Sequence, residues 1–419
     1  MKRGKRVEWT RLDNAAKIFP PTSNDKDTKV FRFVCELQDE VSPDILQLAL
    51  DETIDNFPIY KSVLRKGVFW YYLETSNIHP VVELESSPIC DRIYFAGQRN
   101  LLFRVLYYKN RINVEIFHAL SDGAGALCFV KTLVYYYLIK KYSKELGDNI
   151  PKLDYDSSLS QKMDDSFLKH YTKRKLPKRE KHPRAYHIHE TRREENRYKL
   201  VEGTMSVKDV LEAAHEYNTT MTVYLTALFM YSICKGMPAR GKSRPVILSV
   251  PVNLRNYFES ESARNFFGTI NVGFYFGKDK INFNEVIENV SNSFKRELEE
   301  ERLLVHLNRL ASLERNGLIR IVPLPVKDAA LKIANQVAER GITSSISNVG
   351  KITMAEELKP FIKQFSVFTS ARRPQIAICS FEDNLVVSFT SPYNETDIQK
   401  TFFQTLSHKG IDVKIVTNL

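Results

Sequence analysis

The sequence predicts an α/β protein made of two halves, on three observations. Short alternating apolar runs, the mark of strands, are interleaved with longer runs of helical period. The chain has 419 residues, which suggests two domains of about 200 residues each rather than one core. Between residues 151 and 199 aliphatic residues thin out and charges crowd in, with KRKLPKREKHPR over Lys173–Arg184. Such a stretch reads as a linker or a surface excursion. The expected division is 1–165, a basic crossover over 166–200, and 201–419.

Each element follows from local chemistry. VFRFVCEL (Val30–Leu37) is strand-like. SPDILQLALDETIDNF offers Ser42 as N-cap and Pro43 at the first helical position, with Ile45, Leu46, Leu48, Ala49 and Ile54 as the apolar stripe. VLRKGVFWYYLE reads as two strands around Lys66-Gly67, and LLFRVLYY with INVEIFHAL as a hairpin around Lys109-Asn110-Arg111. A helix from Gly125 to about Tyr142 follows. The second half opens with SVKDVLEAAHEYN, capped by Ser206 with Asp209 three residues on. TVYLTALFMYSICKG is apolar all round, so a buried helix ending at Gly236 is expected. RPVILSVPVNLRNYF is a strand running into a loop, and FFGTINVGFYFG is another strand. FNEVIENV…RLASLE is a long amphipathic helix or a helix pair. SSISNVGKI, IKQFSVFTS and PQIAICSFEDNLVVSFTSP supply further strands, and DIQKTFFQTLSHKG a final helix.

Composition narrows the classes. With 43% hydrophobic and 26% charged residues the chain folds rather than staying disordered. The net charge of +11 favours polyanionic partners. Zinc-finger spacing, RNP-like motifs and a P-loop are missing, so nucleic acid is not the expected partner. A phosphate-bearing co-substrate, an acidic carrier protein or an anionic membrane surface fits the charge as well. The five cysteines, Cys35, Cys90, Cys128, Cys234 and Cys379, are scattered without a CxxC pair. They read as reduced thiols of a cytoplasmic protein. The opening MKRGKRVEWTRLDNAAK lacks the apolar core of a secretory signal. Apolar runs are too short or too interrupted to span a bilayer, leaving peripheral contact as the only membrane role. HIHE (His187–Glu190) offers metal-ligand types, but in a charged stretch with no further cluster, and no metal is expected.

One histidine stands out. In INVEIFHAL, Ile112, Val114, Ile116 and His118 alternate, so they share a strand face that His118 ends. Ser121-Asp122-Gly123-Ala124-Gly125-Ala126 follows, small residues that permit a tight turn and close helix packing. Asp122, four residues on, can fold back toward the imidazole. His118 is then either a base held at a strand end, where catalytic groups often sit, or a satisfied core residue.

HALSDG (His118–Gly123) resembles the HxxxDG motif of the superfamily joining chloramphenicol acetyltransferases, plant BAHD acyltransferases, nonribosomal peptide condensation domains and wax-ester synthases. RLDNAAKIFP (Arg11–Pro20) is similar to the opening of free-standing bacterial alcohol-acetyltransferase-like members. PVNLRNYF with RNFFG (Pro251–Phe258, Arg264–Gly268) resembles the central N-x-R…FG segment, and SSISNVG (Ser344–Gly350) the late SNxG segment. The segments occur in family order and cover nearly the whole chain. Two features depart from it: Phe117 stands where condensation domains carry a first histidine, and the plant-type DFGWG segment is missing.

The resemblance implies two chloramphenicol acetyltransferase-like subdomains with mixed sheets, flanking helices and an active-site channel at their interface. It implies transfer of an acyl group from a thioester to a hydroxyl, with His118 as general base, a role neutral imidazole suits near pH 7. Asp122 becomes structural, paired with an arginine for which Arg255 is the candidate, and Gly123 serves the turn. Ser347 and Asn348 face the channel or merely form a turn, for which SNxG is also suited. The implied co-substrate is acyl-CoA or a phosphopantetheine thioester on an acyl-carrier protein, with no permanently bound cofactor. The acceptor is a small alcohol or amine, and a monomer is expected. A condensation-type amide synthase and a degenerate binding homologue are the alternatives.

Overall fold

A computed structural model describes residues 9–153, 169–172, 183–194, 197–260, 264–277, 282–315 and 320–418. The N-terminal half runs β1 (Trp9–Arg11), β2 (Val30–Leu37), helix α1 (Pro43–Asn56), β3 (Ser62–Lys66), β4 (Tyr71–Thr75), β5 (Val82–Leu84), β6 (Phe103–Tyr108), β7 (Arg111–Phe117) and α2 (Gly123–Lys141). The C-terminal half runs β8 (Lys199–Ser206), α3 (Val207–His215), α4 (Met221–Lys235), β9 (Val246–Asn253), β10 (Phe267–Phe274), α5 (Phe283–Glu297) and α6 (Glu300–Arg315). It continues with α7 (Leu324–Glu339), β11 (Ser344–Lys351), β12 (Ile362–Thr369), β13 (Gln375–Phe381), β14 (Asn384–Ser391), α8 (Asp397–His408) and β15 (Lys414–Thr417).

Among the described residues the strands form three sheets, ordered β1-β4-β3, β12-β2-β7-β6-β5 and β10-β9-β11-β13-β14-β8-β15. Both larger sheets are mixed: β5 runs parallel to β6, and β11 parallel to β13 and β9. Helices flank them and two hydrophobic cores result, one centred on each half. The halves are not cut cleanly between residues 200 and 201. β12, from the C-terminal half, pairs antiparallel with β2 of the N-terminal sheet, with Phe365 opposite Cys35. That loan locks the halves together through backbone hydrogen bonds.

Local chemistry explains the elements. Every residue of β2 is buried, because the strand is central in its sheet and covered on both faces. The second face of β7 is buried too, and it is polar: Glu115 pairs with Arg32 at 2.7 Å and with Arg104, and accepts from the Cys90 backbone N–H at 2.6 Å. A buried carboxylate survives only with such partners. Ser206 Oγ accepts from Asp209 N at 3.2 Å and opens α3. α4 is buried over most of its surface and stops at Gly236. The 283–315 segment is a helix pair, interrupted at Leu298-Glu299.

Other details differ from the sequence reading. α2 begins two residues earlier, at Gly123, because Asp122 caps it. The C-terminal half opens on strand β8 rather than on a helix, and the sequence pattern marks neither β8 nor α7 nor the short strands β1, β5 and β15. α7 exposes Val326, Ile333 and Val337, so its period does not mark a single buried stripe. Residues 173–182 of the basic run lie outside the described residues. The segment after it is packed rather than solvated: Ala185 and Tyr186 donate backbone hydrogen bonds to Arg340 and Pro245 at 3.1 and 2.8 Å, and Ile188 is buried. All five cysteines are free thiols, four of them buried and Cys128 half-buried. Among the described residues no helix is long and apolar enough to cross a membrane, and no group of three or more His, Cys, Asp or Glu could hold a metal.

Candidate active site

β7 ends at Phe117, and the His118 backbone N–H donates to the Lys29 carbonyl at 2.8 Å, which pins the strand end beside the start of β2. The imidazole is set among aromatics. It stacks on Phe19 at 4.5 Å between centroids and 18° between planes, with Phe31 at 4.9 Å and Phe267 at 5.6 Å. Two of those rings come from the N-terminal half and one from β10. Burial pushes the imidazolium below the usual histidine range; Asp122, the Asn265 side chain and the residue's own carbonyl oppose that, and Lys29 adds to it. Burial thus favours the neutral imidazole.

Asp122 is buried. Its Oδ1 accepts from Gly125 N at 2.8 Å, capping α2. Its Oδ2 accepts from Arg255 Nη1 at 2.8 Å and from Phe266 N at 2.7 Å. The short carboxylate thus satisfies one orphan donor of the helix and binds the C-terminal half at two points. Arg255 is spread over further acceptors, donating to the Arg264 carbonyl at 2.5 Å and to Asn253 Oδ1 at 3.3 Å. Gly123 takes ordinary helical backbone, and a Cβ added there meets no heavy atom within 4 Å. The turn therefore makes no steric demand for glycine at that position.

A cavity of about 460 Å³ lies between the halves, lined by His118, Asp122 and Gly123 from one and by Asn253, Phe267, Ser347 and Asn348 from the other. The structure thus gathers His118, Asp122, Gly123, Ser347 and Asn348 around one space, with Arg255 bound to Asp122 beside it. Asn348 has both ends of its amide engaged: Nδ2 donates to Thr222 Oγ1 at 2.8 Å and Oδ1 accepts from Gly350 N at 2.8 Å. Gly350 has φ of +87°, a left-handed turn that favours glycine. Asn348 is consequently committed to shaping β11, where a bulge falls between it and Gly350. Lys29, Arg372 and Arg373 line the cavity together with Asp27 and Glu339.

Sequence reasoning did not single out Phe19, Phe31, Phe267, Asn265, Asp13, Arg372 or Arg373. RLDN and RNFF held the signal for Asp13 and Asn265, but their meeting needs chain contacts across 252 residues.

No family model matches the chain, and no curated protein does. Solved structures do match along almost the whole chain. The trichothecene 15-O-acetyltransferase TRI3 of Fusarium sporotrichioides superposes with a TM-score of 0.64 at 11% identity, covering 98% of this chain and 96% of that one. TRI101 of the same fungus, complexed with coenzyme A and T-2, gives 0.63 at 11% identity over 97% and 99%. The first condensation domain of the CDA synthetase gives 0.58 at 13% identity over 97% of each chain. The chain has the two-subdomain α/β fold of these acetyltransferases and of the condensation domain.

Proposed function

We propose that the protein is an acyltransferase that moves an acyl group from a thioester to the hydroxyl of a small molecule, with His118 as general base. The observation that carries this reading is a desolvated imidazole lining a cavity between two subdomains of this fold. In the proposed step, the imidazole nitrogen facing the cavity takes the acceptor's hydroxyl proton. The oxygen forms a bond to the thioester carbonyl carbon, giving a tetrahedral oxyanion that needs a hydrogen-bond donor. Ser347, on the cavity wall, is the proposed donor, since Asn348 is already engaged. Collapse breaks the carbon–sulfur bond, and the imidazolium returns its proton to the leaving thiolate. The aromatic rings around His118 keep water from its faces.

Asp122 and Arg255 act at one remove in this reading. They fix the helix that follows the histidine to the C-terminal half, so the ring stays where both substrates meet. Lys29, Arg372 and Arg373 suit the phosphates of acyl-CoA or of a carrier-bound phosphopantetheine. A hydroxyl acceptor is preferred to an amine because the similar structure TRI3 is an O-acetyltransferase. TRI101 with coenzyme A and T-2 is a related fold holding such a pair of ligands.

The test is thiol release from short and long acyl-CoAs with mixed alcohols and amines, for wild type and His118→Ala. Release that disappears in a folded His118→Ala protein supports the base. Equal release in both removes His118 from the mechanism. Release only from carrier-bound thioesters, with amines, moves the reading to an amide synthase. No release from any donor favours a binding homologue.

A further inference from the structure

Two buried polar atoms beside the cavity lack a hydrogen-bond partner in the strict geometric sense: His118 Nδ1 and Asn265 Oδ1. Such orphans are uncommon in native interiors, and each calls for a physical explanation. Here one can be a donor and the other is an acceptor. The Asn265 side chain lies against the imidazole and favours its protonated form. The neighbours of Asn265 reach the same place independently, since Phe266 N donates to Asp122 and the Phe267 ring sits 5.6 Å from the imidazole.

Asp13 determines which end of the Asn265 amide faces the ring. Asp13 Oδ2 accepts from both the backbone N–H and the Nδ2 of Asn265, each at 3.3 Å. A carboxylate only accepts, so the NH2 end belongs to Asp13 and the carbonyl oxygen is the end left over. Asp13 is anchored in turn: Oδ1 accepts from Ala16 N at 2.7 Å, and Arg264 approaches at 3.8 Å while donating to the Arg11 carbonyl at 2.6 Å. Asp13, Arg264 and Asn265 are all buried. This network joins RLDN near the start of the chain to RNFF at residues 264–267.

We propose that Asn265 is a positioning residue for His118: its Oδ1 accepts the Nδ1 proton, so Nε2 carries the lone pair that faces the cavity, and Asp13 holds Asn265 in that orientation. The inference rests on the reading of His118 as base, but the tautomer can be read without turnover. A neutral amide oxygen selects the tautomer without the large pKa rise that a carboxylate would bring. The other charged groups near the ring act in both directions, Asp122 more strongly than Lys29. Asp122 favours the imidazolium but is bound to Arg255, Lys29 disfavours it, and Asp13 acts only through Asn265 and stands beside Arg264. The competing acceptor for the Nδ1 proton is His118's own carbonyl.

The test is two-bond proton–nitrogen NMR on the full chain labelled with 15N-histidine, followed from acid to alkaline pH, with the His118 signal assigned by its loss in His118→Gln. Neutral wild-type His118 should show a protonated Nδ1 and a pyridine-like Nε2. Asn265→Leu should move it toward the Nε2–H tautomer. Asn265→Asp should raise its titration midpoint by about 1–3 pH units, and the acid limb of turnover with it. An Nε2–H tautomer in the wild type overturns the proposal without any variant. So does an unchanged Nδ1–H tautomer in Asn265→Leu, which would assign the proton to the carbonyl. Should Asn265→Leu fail to fold, the wild-type tautomer and Asn265→Asp decide. Absence of turnover with the expected tautomer would sink the enzymatic reading and leave this one standing.

Discussion

Arg255 Nη1 lies 2.8 Å from Asp122 Oδ2, joining the capped start of α2 in the N-terminal half to a loop of the C-terminal half 133 residues away. The pair is largely buried, with side-chain exposures of 13% and 4%, so removing one partner leaves the other charged and poorly solvated. Arg255→Ala should lower unfolding stability by about 3 kcal/mol, measured by denaturant titration. Arg255→Lys keeps the charge but cannot reproduce the spread to the Arg264 carbonyl, so it should fall between the two. Equal stability of all three proteins would remove this pair from the interface.

His118→Ala should reduce acyl transfer by about 10²–10⁴-fold, the usual weight of a general base. The folded state should survive, because the imidazole's packing partners Phe19, Phe31 and Phe267 belong to separate elements that stay anchored. Steady-state thiol release alongside a thermal melt separates the two effects.

The pH dependence has a definite sign. Burial lowers the His118 pKa, and the base works in its neutral form. Activity should therefore persist below the ordinary histidine range and fall only as pH drops through the lowered value. The profile of kcat/KM reports this for the free enzyme. An acid limb at or above the ordinary histidine value would contradict the desolvated site.

Arg372 is 35% exposed at the cavity and its nearest carboxylate, Asp27, is 3.8 Å away. Arg372→Glu should raise KM for acyl-CoA by about tenfold, the equivalent of one charge-assisted contact. KM for an uncharged thioester such as an acyl-N-acetylcysteamine should change little. A uniform effect on both donors would place Arg372 away from the phosphates.

Glu202 is buried beneath β12, where Gln364 Nε2 bridges it to Glu36 at 3.4 and 3.1 Å. Burial raises the Glu202 pKa, with the hydroxyls of Ser366 and Ser388 opposing the rise. A carboxyl raised on folding stabilises below its unfolded pKa, and that contribution is lost as pH rises through the folded value. Glu202→Gln should consequently raise Tm near neutral pH by about 2–4 °C and lose its advantage in acid. A melt at both pH values checks the sign.

Much of the local structure was legible because it is encoded locally. Alternation gave β2 and β7, Ser42-Pro43 and Ser206 marked helix starts, and small residues after His118 marked the turn into α2. The motif residues His118 and Asp122 could be picked out for the same reason. α7, β1, β5, β8 and β15 were not legible: three- or four-residue strands and a helix with exposed Val326, Ile333 and Val337 carry no clean period, and β8 holds Glu202 and Gly203 in mid-strand. Asn348 read equally as a substrate contact or a turn former, and only its bonds to Thr222 and Gly350 show how its amide is used.

By itself the sequence determined an α/β chain of two halves, its main strands and helices, and a histidine at the end of a buried strand, because side-chain periodicity and capping act over a few residues. Tertiary structure alone decided that β12 crosses into the other half's sheet and that Asp13 meets Asn265, while the Arg255–Asp122 pair was expected from the family resemblance and not from any local pattern. Those contacts span more than a hundred residues. They depend on how two sheets interlock, a property that no local pattern of residues contains.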